Sequence, residues 1–206
     1  MRSHFSSRFK LFSATALTAV ALSVGVASTA YAAPTAGLQS GYTAVRLDAG
    51  FTAALSSLGV SLGTLPKSGV YQGQAYFPIV SGALDFANAK GEISHAGGLT
   101  LTAGGTRAEL SDFVIDTFGA TPVLTGLVVV NDSIVARIPL FDLTLPPGFA
   151  VPLTADRGRF ITLSNVGVKL NPTAATALNG VFKVTAFAGG FTIGTAKVQT
   201  VTVREH

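Results

Sequence analysis

The 206-residue sequence contains no cysteine and only 12% charged residues. Without cysteine the chain forms no disulfide and carries no lipid on a cysteine, so an exported form depends on burial and hydrogen bonding for its stability. A thiol nucleophile is excluded as well. Basic residues exceed acidic ones, with 14 Lys+Arg against 10 Asp+Glu, and this excess is the remaining feature of the composition.

Much of the excess positive charge lies in the first 32 residues. Arg2, Arg8 and Lys10 precede an uncharged apolar run over residues 11–30, and the small residues Ala30 and Ala32 then stand on either side of position 31. This order is typical of a secretory signal peptide cleaved after Ala32, and an uncleaved membrane anchor is the alternative interpretation. The sequence therefore predicts a secreted or otherwise extracytoplasmic protein with no integral membrane span after cleavage.

The remaining residues, 33–206, are nearly neutral. Three of the 14 basic residues and none of the 10 acidic residues lie in the leader, which leaves a net charge of +1. Nucleic-acid binding requires a basic face that displaces counterions, so no nucleic-acid partner is expected. Residues 33–41 are small and rich in Pro and Gly, which predicts a linker, and residues 42–206 have the length of a single domain.

The pattern of residues 42–206 is that of an all-β protein. Short runs of Val, Ile, Leu, Thr and Phe are separated by Gly, Pro, Asn and Asp at spacings near ten residues. Such a pattern predicts an antiparallel β-sandwich or partly open barrel. The strands predicted outside the hairpins described next are 43–48, 75–80, 83–86, 159–170, 181–187 and 191–204.

The best-defined element is a hairpin around the Gly-Gly pair at 104–105. A two-residue glycine loop tolerates positive φ and suits a tight turn. In the register that this turn sets, Ala103 pairs with Thr106 and Leu99 pairs with Leu110. One face of the hairpin is then apolar, which a slip of one residue would destroy. That face carries Leu99, Leu101, Ala108 and Leu110.

Other local signals refine this outline. Apolar residues change from even to odd positions after Leu110, which predicts a bulge near Ser111–Asp112 or a strand that passes between sheets. A second hairpin is expected around Asn131–Asp132.

One or two short helices are also predicted. Asp48 can cap the segment AGFTAALSSL, which ends before Gly59. Asn171 can cap a second helix that has Pro172 at its first position and ends at Asn179–Gly180.

His95 is the only histidine away from the two ends of the chain. Continuing the odd-numbered apolar face backwards from Leu101 and Leu99 places its side chain on the inward side. One interpretation is a neutral core imidazole that hydrogen-bonds to a carbonyl or a serine such as Ser94. The other is a ligand or hydrogen-bond donor in an apolar pocket, since neutral imidazole often binds metals, haem iron included. Flanking glycines would permit the close approach of a large planar ligand.

Four segments resemble those of a known family, the HtaA domain. GEISHAGGLTLTAGGTRAELSDFVID resembles its His-Gly-Gly segment, and VRLDAGFTAAL resembles its opening segment. LNPTAATALNGVFKVTAFAGGFTIGTAKV resembles its closing segment, and VNDSIVARIPLFDLTL occupies the place of its middle hairpin. The resemblance implies an exported, β-rich fold that binds haem in bacterial haem uptake.

The resemblance also implies a set of ligand positions. In the family, a tyrosine of the opening segment holds the haem iron and the histidine orients it. Here Ala54 stands at that position, and Phe182 stands where the closing segment has a second tyrosine. Neither side chain can ligate iron, so of this set the chain keeps only His95.

No pattern in the sequence predicts an enzyme or a metal site. Ser94 and His95 are neighbours on a strand and point to opposite faces, so they do not form a nucleophile–base pair. Asp112 and Asp116 lie roughly 13 Å apart along a strand, beyond the separation of glycosidase carboxylates. The acidic residues do not have the spacing of a calcium loop.

Two functions remain from these observations. The first is an exported non-catalytic β-domain that binds haem or another hydrophobic small molecule in an apolar pocket near His95. Its candidate ligand-binding residues are His95, Phe51, Phe182 and Tyr76. The alternative is a structural or adhesive domain at the cell surface or wall, with no small ligand.

Overall fold

A computed structural model describes residues 35–85, 88–148 and 160–204. These residues form a mostly antiparallel β structure with two short helices, which confirms the predicted fold class. The predicted signal peptide lies outside them. The elements are β1 (Thr35–Leu47), α1 (Ala49–Ser57), β2 (Ser61–Thr64), β3 (Gly69–Tyr71), β4 (Gln74–Asp85), β5 (Gly91–His95), β6 (Gly98–Ala103), β7 (Thr106–Asp116), β8 (Val123–Val130), β9 (Ser133–Thr144), β10 (Phe160–Leu170), α2 (Pro172–Phe182) and β11 (Thr192–Arg204).

Eight of these strands close into a barrel. The order β7-β5-β4-β1-β11-β10-β9-β8 returns to β7 because β8 pairs with β7. Strands β5 and β6 share one edge of β7, with Ser94 opposite Val114 and Gly98 opposite Ser111. β6 carries β2 beyond the barrel, and β3 extends β4. Closure removes the open edges that a flat sheet would leave.

Both predicted hairpins are present. The pairing of β6 with β7 runs from Ala103 opposite Thr106 to Leu99 opposite Leu110, the predicted register. At the second turn Asn131 and Asp132 have φ of 46° and 65°, the positive values that a two-residue hairpin loop requires. Turn chemistry and apolar alternation therefore determine the same register in each hairpin.

The change of apolar phase in β7 arises from a bulge, the first of the two predicted alternatives. The register with β8 shifts between Ser111 and Val114, and Asp112 has a φ of 49°. Before the bulge Leu110 faces the interior, and after it Phe113 does so. The bulge thus keeps both halves of the strand inside one barrel.

Both predicted helices form with the predicted caps. The Asp48 carboxylate accepts hydrogen bonds from the backbone N–H of Gly50 and Phe51 at the start of α1. The Asn171 side chain accepts from Thr173 N–H at the start of α2. This second helix continues past the predicted end to Phe182, where Lys183 adopts the left-handed conformation.

The strand predicted over residues 181–187 is wrong. Val181 and Phe182 belong to α2, and the chain after Lys183 is irregular until β11. Asn179 explains the difference, because its side chain donates to the Phe187 carbonyl at 2.8 Å and accepts from Phe187 N–H at 3.0 Å. Both backbone groups of Phe187 are therefore used by a side chain and are not available for a strand ladder.

The linker predicted over residues 33–41 is also wrong from Thr35 onward. β1 begins there and pairs with both β4 and β11, and Ala36 and Leu38 are buried. A Cβ at Gly41 would lie 2.0 Å from the Gln199 carbonyl oxygen. Small residues in this segment thus reflect close strand packing rather than a flexible connection.

Two other strand boundaries differ from prediction. The segments 75–80 and 83–85 form one strand, β4, with a register shift between Ile79 and Ser81, and residue 86 of the second prediction lies outside the described residues. The short strands β2 and β3 were not predicted, because four and three residues provide too little alternation to detect.

Candidate functional site

The interior of the barrel contains a cavity of about 80 Å³. Its lining comes from the barrel strands, from β2 and β6, and from both helices. Alanines at 75, 108, 174, 177 and 196 leave part of the space free where larger side chains would fill it. Among the described lining residues Thr43 and His95 alone are polar, and no charged residue is present. The cavity is therefore an apolar site with a single polar feature.

His95 reaches the cavity because it ends β5 on the inward side. Ile93 and His95 are buried, whereas Glu92 is exposed and points away. The His95 side chain is 4% exposed and lies opposite Ile79 of β4. This confirms the inward direction that the apolar alternation predicts.

The two ring nitrogens of His95 have partners within the protein. Nε2 lies 2.8 Å from the Thr43 hydroxyl of β1, and Nδ1 lies 3.4 Å from the Phe113 carbonyl of β7. A carbonyl only accepts, so Nδ1 carries the proton and the Thr43 hydroxyl donates to Nε2. The imidazole thus links two distant strands across the interior. No signal in the sequence pointed to Thr43, which is 52 residues away.

Burial keeps this imidazole neutral. Desolvation lowers the pKa of His95 to about 4, and hydrogen bonds to the Phe113 and Ile93 carbonyls offset only part of that effect. At neutral pH the cavity consequently contains no charge.

Of the other predicted site residues, only Phe51 lines the cavity. It is buried on the first turn of α1, where the Asp48 cap positions it. Phe182 packs, half-buried, against the core at the end of α2 and does not reach the cavity. The preceding residue of α2, Val181, lines the cavity instead.

Tyr76 is not a wall of the cavity. Ala75 and Phe77 of β4 face inward, so the alternation of the strand turns Tyr76 to the outer surface. There its ring centroid lies 6.0 Å from that of Tyr42 on β1. Tyr76, predicted as a ligand-binding residue near His95, therefore does not line this cavity.

The residues at the cavity do not fit a haem group. A volume of about 80 Å³ is far below the roughly 300 Å³ at which pockets for drug-sized ligands begin. Both nitrogens of His95 are already hydrogen-bonded, so neither is free to ligate iron. Ala54 does not line the cavity and, like Phe182, offers no donor atom.

The described part of the chain contains neither a metal-binding cluster nor a membrane-spanning helix. Residues 35–85, 88–148 and 160–204 contain no group of three or more His, Asp or Glu side chains that could hold a metal ion. No helix within these ranges is long and apolar enough to cross a membrane.

The fold and the cavity together define a helix-covered, closed antiparallel barrel with an apolar interior site. The fold of the chain is similar to that of two domains of HtaA from Corynebacterium glutamicum. Its C-terminal domain aligns with a TM-score of 0.61 at 18% identity, over 81% of this chain and 99% of that domain. Its N-terminal domain aligns with a TM-score of 0.58 at 14% identity, over 82% and 99%.

A further solved structure has the same fold. The haem-binding protein HtaB of Corynebacterium glutamicum aligns with a TM-score of 0.54 at 11% identity, over 84% of this chain and 98% of HtaB. No family profile and no curated protein matches the sequence. The chain therefore has an HtaA-like fold, which confirms the fold that the sequence resemblance implies.

Proposed function

We propose that this protein is an exported, non-catalytic domain that binds a small apolar molecule inside its barrel. The observation that carries the proposal is an interior cavity with no charged lining residue. Its two polar lining residues, Thr43 and His95, are hydrogen-bonded to each other. Transfer of an apolar ligand from water into such a space is favourable and breaks no hydrogen bond of the protein. The predicted signal peptide supports export.

A structural role accounts for the Thr43–His95 pair better than catalysis does. A hydroxyl that donates to an imidazole at 2.8 Å has the geometry of a nucleophile and its base. However, burial lowers the pKa of this imidazole to about 4, and a base of that strength removes few protons at neutral pH. The pair is therefore better suited to joining β1 and β5 than to activating a nucleophile.

The proposed ligand is smaller than haem. HtaB is a haem-binding protein, and the fold it shares with this chain makes haemin the natural comparison ligand. The size of the cavity and the occupied nitrogens of His95 favour a different molecule here.

Xenon provides a direct test because it enters dry apolar cavities without needing a hydrogen bond. In residues 33–206 labelled at methyl groups, xenon should shift the NMR signals of Leu110, Val128 and Val198, which line the cavity. Filling the cavity by Ala177→Leu on α2 should weaken these shifts. A matched control, Ala53→Leu on the exposed side of α1, should leave them unchanged.

Two results would overturn the proposal. One is the absence of xenon-dependent shifts in the unsubstituted protein. The other is a sharp haemin Soret band that disappears in His95→Ala, since this would establish a haem site that depends on the imidazole.

A structural or adhesive surface role is the second candidate, and the outer face of β1, β3 and β4 favours it. Tyr42, Tyr71 and Tyr76 lie on this face, and the first two are 40% and 66% exposed. Tyrosine is enriched at interfaces because an apolar ring carries a polar hydroxyl. Tyr42→Ser with Tyr71→Ser should then reduce sedimentation with isolated cell walls of the source organism, whereas Ala177→Leu should not.

A further inference from the structure

We infer that the outer face of β3, β4, β1 and β11 binds an acidic polysaccharide, whose sugar rings stack on three tyrosines and whose carboxylates pair with Arg46 and Lys197. The inference rests on the second candidate function, a role at the cell surface, and adds the chemical class of the partner. It does not depend on the interior cavity.

Strand register places the outward side chains of this face in three parallel rows. The rows are Tyr71, Gln74, Arg46 and Thr195; Gly69, Tyr76, Ala44 and Lys197; and Pro78, Tyr42 and Gln199. These side chains point away from the cavity because the residues between them along each strand, such as Ala75 and Val198, line it. A Cβ at Gly69, opposite Tyr76, would meet no atom within 4 Å, so the space beside that ring is open.

The three tyrosines form a diagonal track across the face. Tyr71, Tyr76 and Tyr42 lie on successive strands and in successive rows, and such diagonal neighbours are roughly 7–8 Å apart. The rings of Tyr42 and Tyr76 have centroids 6.0 Å apart and planes inclined at 52°. Pyranose rings pack their C–H faces on aromatic rings, and the tyrosine hydroxyl adds a hydrogen-bonding group. A linear chain of sugars can contact all three rings, whereas a compact ligand would contact one.

Two glutamine amides lie beside the tyrosines. Gln199 accepts a hydrogen bond from the Tyr42 hydroxyl, and its Nε2 lies 3.4 Å from the Thr162 hydroxyl of β10. Gln74 lies opposite both Tyr71 and Arg46. An amide both donates and accepts, as sugar hydroxyl groups do, so these residues favour a ligand that carries many hydroxyls over a hydrocarbon.

The charge of the face selects an anionic ligand. Arg46 and Lys197 are exposed, lie on neighbouring strands, and form no ion pair or hydrogen bond with any described residue. A guanidinium group binds a carboxylate through two parallel hydrogen bonds. Two cations beside three rings suit a polymer with a carboxylate on some of its sugars, whereas a nucleic acid carries a phosphate on every nucleotide and needs more cations.

Acidic side chains are kept away from this face. The described acidic residues are Asp48, Asp85, Glu92, Glu109, Asp112, Asp116, Asp132 and Asp142, and none belongs to the three rows. Asp48 directly follows β1, but its carboxylate accepts hydrogen bonds from the N–H groups of Gly50 and Phe51. Asp85 lies opposite Thr35, at the far end of β4 from Gln74. The two cations are therefore available to a carboxylate of the ligand.

Calorimetric titration of residues 33–206 with fragments of hyaluronan and of polygalacturonate tests the inference. The same fragments with their carboxylates reduced to alcohols are the matched ligands. At least one of the acidic polymers should bind, about tenfold or more tightly than its reduced form. Added salt should narrow this difference, because the charged side chains are exposed.

Variants of the tyrosines test the stacking. Tyr42→Ser with Tyr71→Ser should weaken the acidic and the reduced fragments by the same factor, about tenfold or more. Tyr42→Phe with Tyr71→Phe keeps the rings and should retain most of the affinity.

Variants of the cations test the selectivity. Arg46→Gln with Lys197→Gln should remove the preference for the acidic fragment and leave the affinity for the reduced fragment unchanged. Arg107→Gln with Lys183→Gln is the control, since it removes the same charge from exposed positions outside the face and should keep the preference.

Several results would overturn the inference. These are failure of both acidic polymers to bind, equal affinity for acidic and reduced fragments, or an equal loss of preference in the control variant. Binding to phosphatidylglycerol vesicles that the same tyrosine and cation variants abolish would indicate a membrane surface instead.

The outcomes also separate this inference from the functions proposed above. Sedimentation with cell walls that depends on the tyrosines, without binding of either polymer, would overturn the polysaccharide and leave a surface role with another partner. Sedimentation that does not depend on them would overturn the surface role as well. Xenon-dependent shifts test the interior ligand independently of both.

Discussion

At the scale of single residues, the hydrogen bond between Thr43 and His95 is the most informative contact in the protein. Both side chains are buried, at 3% and 4% exposure, and they belong to strands that are not adjacent in the barrel. A buried polar atom that loses its partner costs more than an average hydrogen bond contributes. The pair therefore stabilises one arrangement of β1 against β5.

Thr43→Val should destabilise the protein by about 1 to 3 kcal/mol, because it keeps the shape of the side chain but leaves His95 Nε2 without a donor. Urea unfolding followed by circular dichroism measures the change. Thr43→Ser retains the hydroxyl, so its free energy of unfolding should fall by less. Equal loss in the two variants would show that the methyl group, and not the hydrogen bond, is what matters.

The neutral state of His95 predicts a dependence of stability on pH. Its pKa is about 4 in the folded protein against an ordinary value of 6.5, so the unfolded chain binds more protons between these pH values. The free energy of unfolding should therefore fall as the pH falls from 6.5 to 4, by about 3 kcal/mol in total.

A comparison with His95→Gln isolates this contribution, since the carboxylates titrate in both proteins. Urea midpoints at several pH values should decline less steeply in the variant between pH 6.5 and 4. Parallel declines would contradict a buried neutral imidazole.

At the scale of the elements, short signals in the chain determine where strands and helices begin and end. The bulge at Asp112 and the turn at Asn131–Asp132 use residue types that tolerate positive φ. Asn171 caps α2 and also donates to Asp142 of β9 at 2.7 Å, so one side chain both starts the helix and attaches it to the barrel.

The end of α2 provides a test at this scale. Lys183 has a φ of 56°, a left-handed conformation that glycine adopts without a steric penalty. Lys183→Gly should raise the free energy of unfolding by up to about 1 kcal/mol, measured by urea unfolding. Gly180→Ala, within the same helix, should stabilise by a similar amount for the separate reason of helix propensity. A destabilised Lys183→Gly would mean that the lysine side chain has a role of its own.

At the scale of the whole molecule, closure of the barrel is what creates an interior site. Strands far apart in the chain, such as β1 and β11, must pair before the cavity has walls. β2 and β3 contribute less to closure, since each pairs with one described strand only. The eight barrel strands should consequently open as one cooperative unit.

Hydrogen exchange measures that cooperativity. Amides in the central parts of β1, β4 and β11 should exchange most slowly, by global unfolding, and those of β3 should exchange faster through local opening. A ligand in the cavity at 100 times its Kd should add about 2.7 kcal/mol to the protection of the slow group. Slow exchange confined to one part of the barrel would contradict a single cooperative unit.

The sequence by itself determined the fold class, both hairpins, the change of apolar phase in β7, the two capped helices and the inward direction of His95. Each depends on neighbouring residues, through alternation, turn chemistry or capping, and such signals are visible in a short window. Tertiary structure alone decided that the barrel closes, that Thr43 pairs with His95, that Tyr76 faces outward, and that residues 181–187 form no strand. These outcomes depend on contacts between distant parts of the chain, whose free energies exceed local preference and leave no periodic pattern in the sequence.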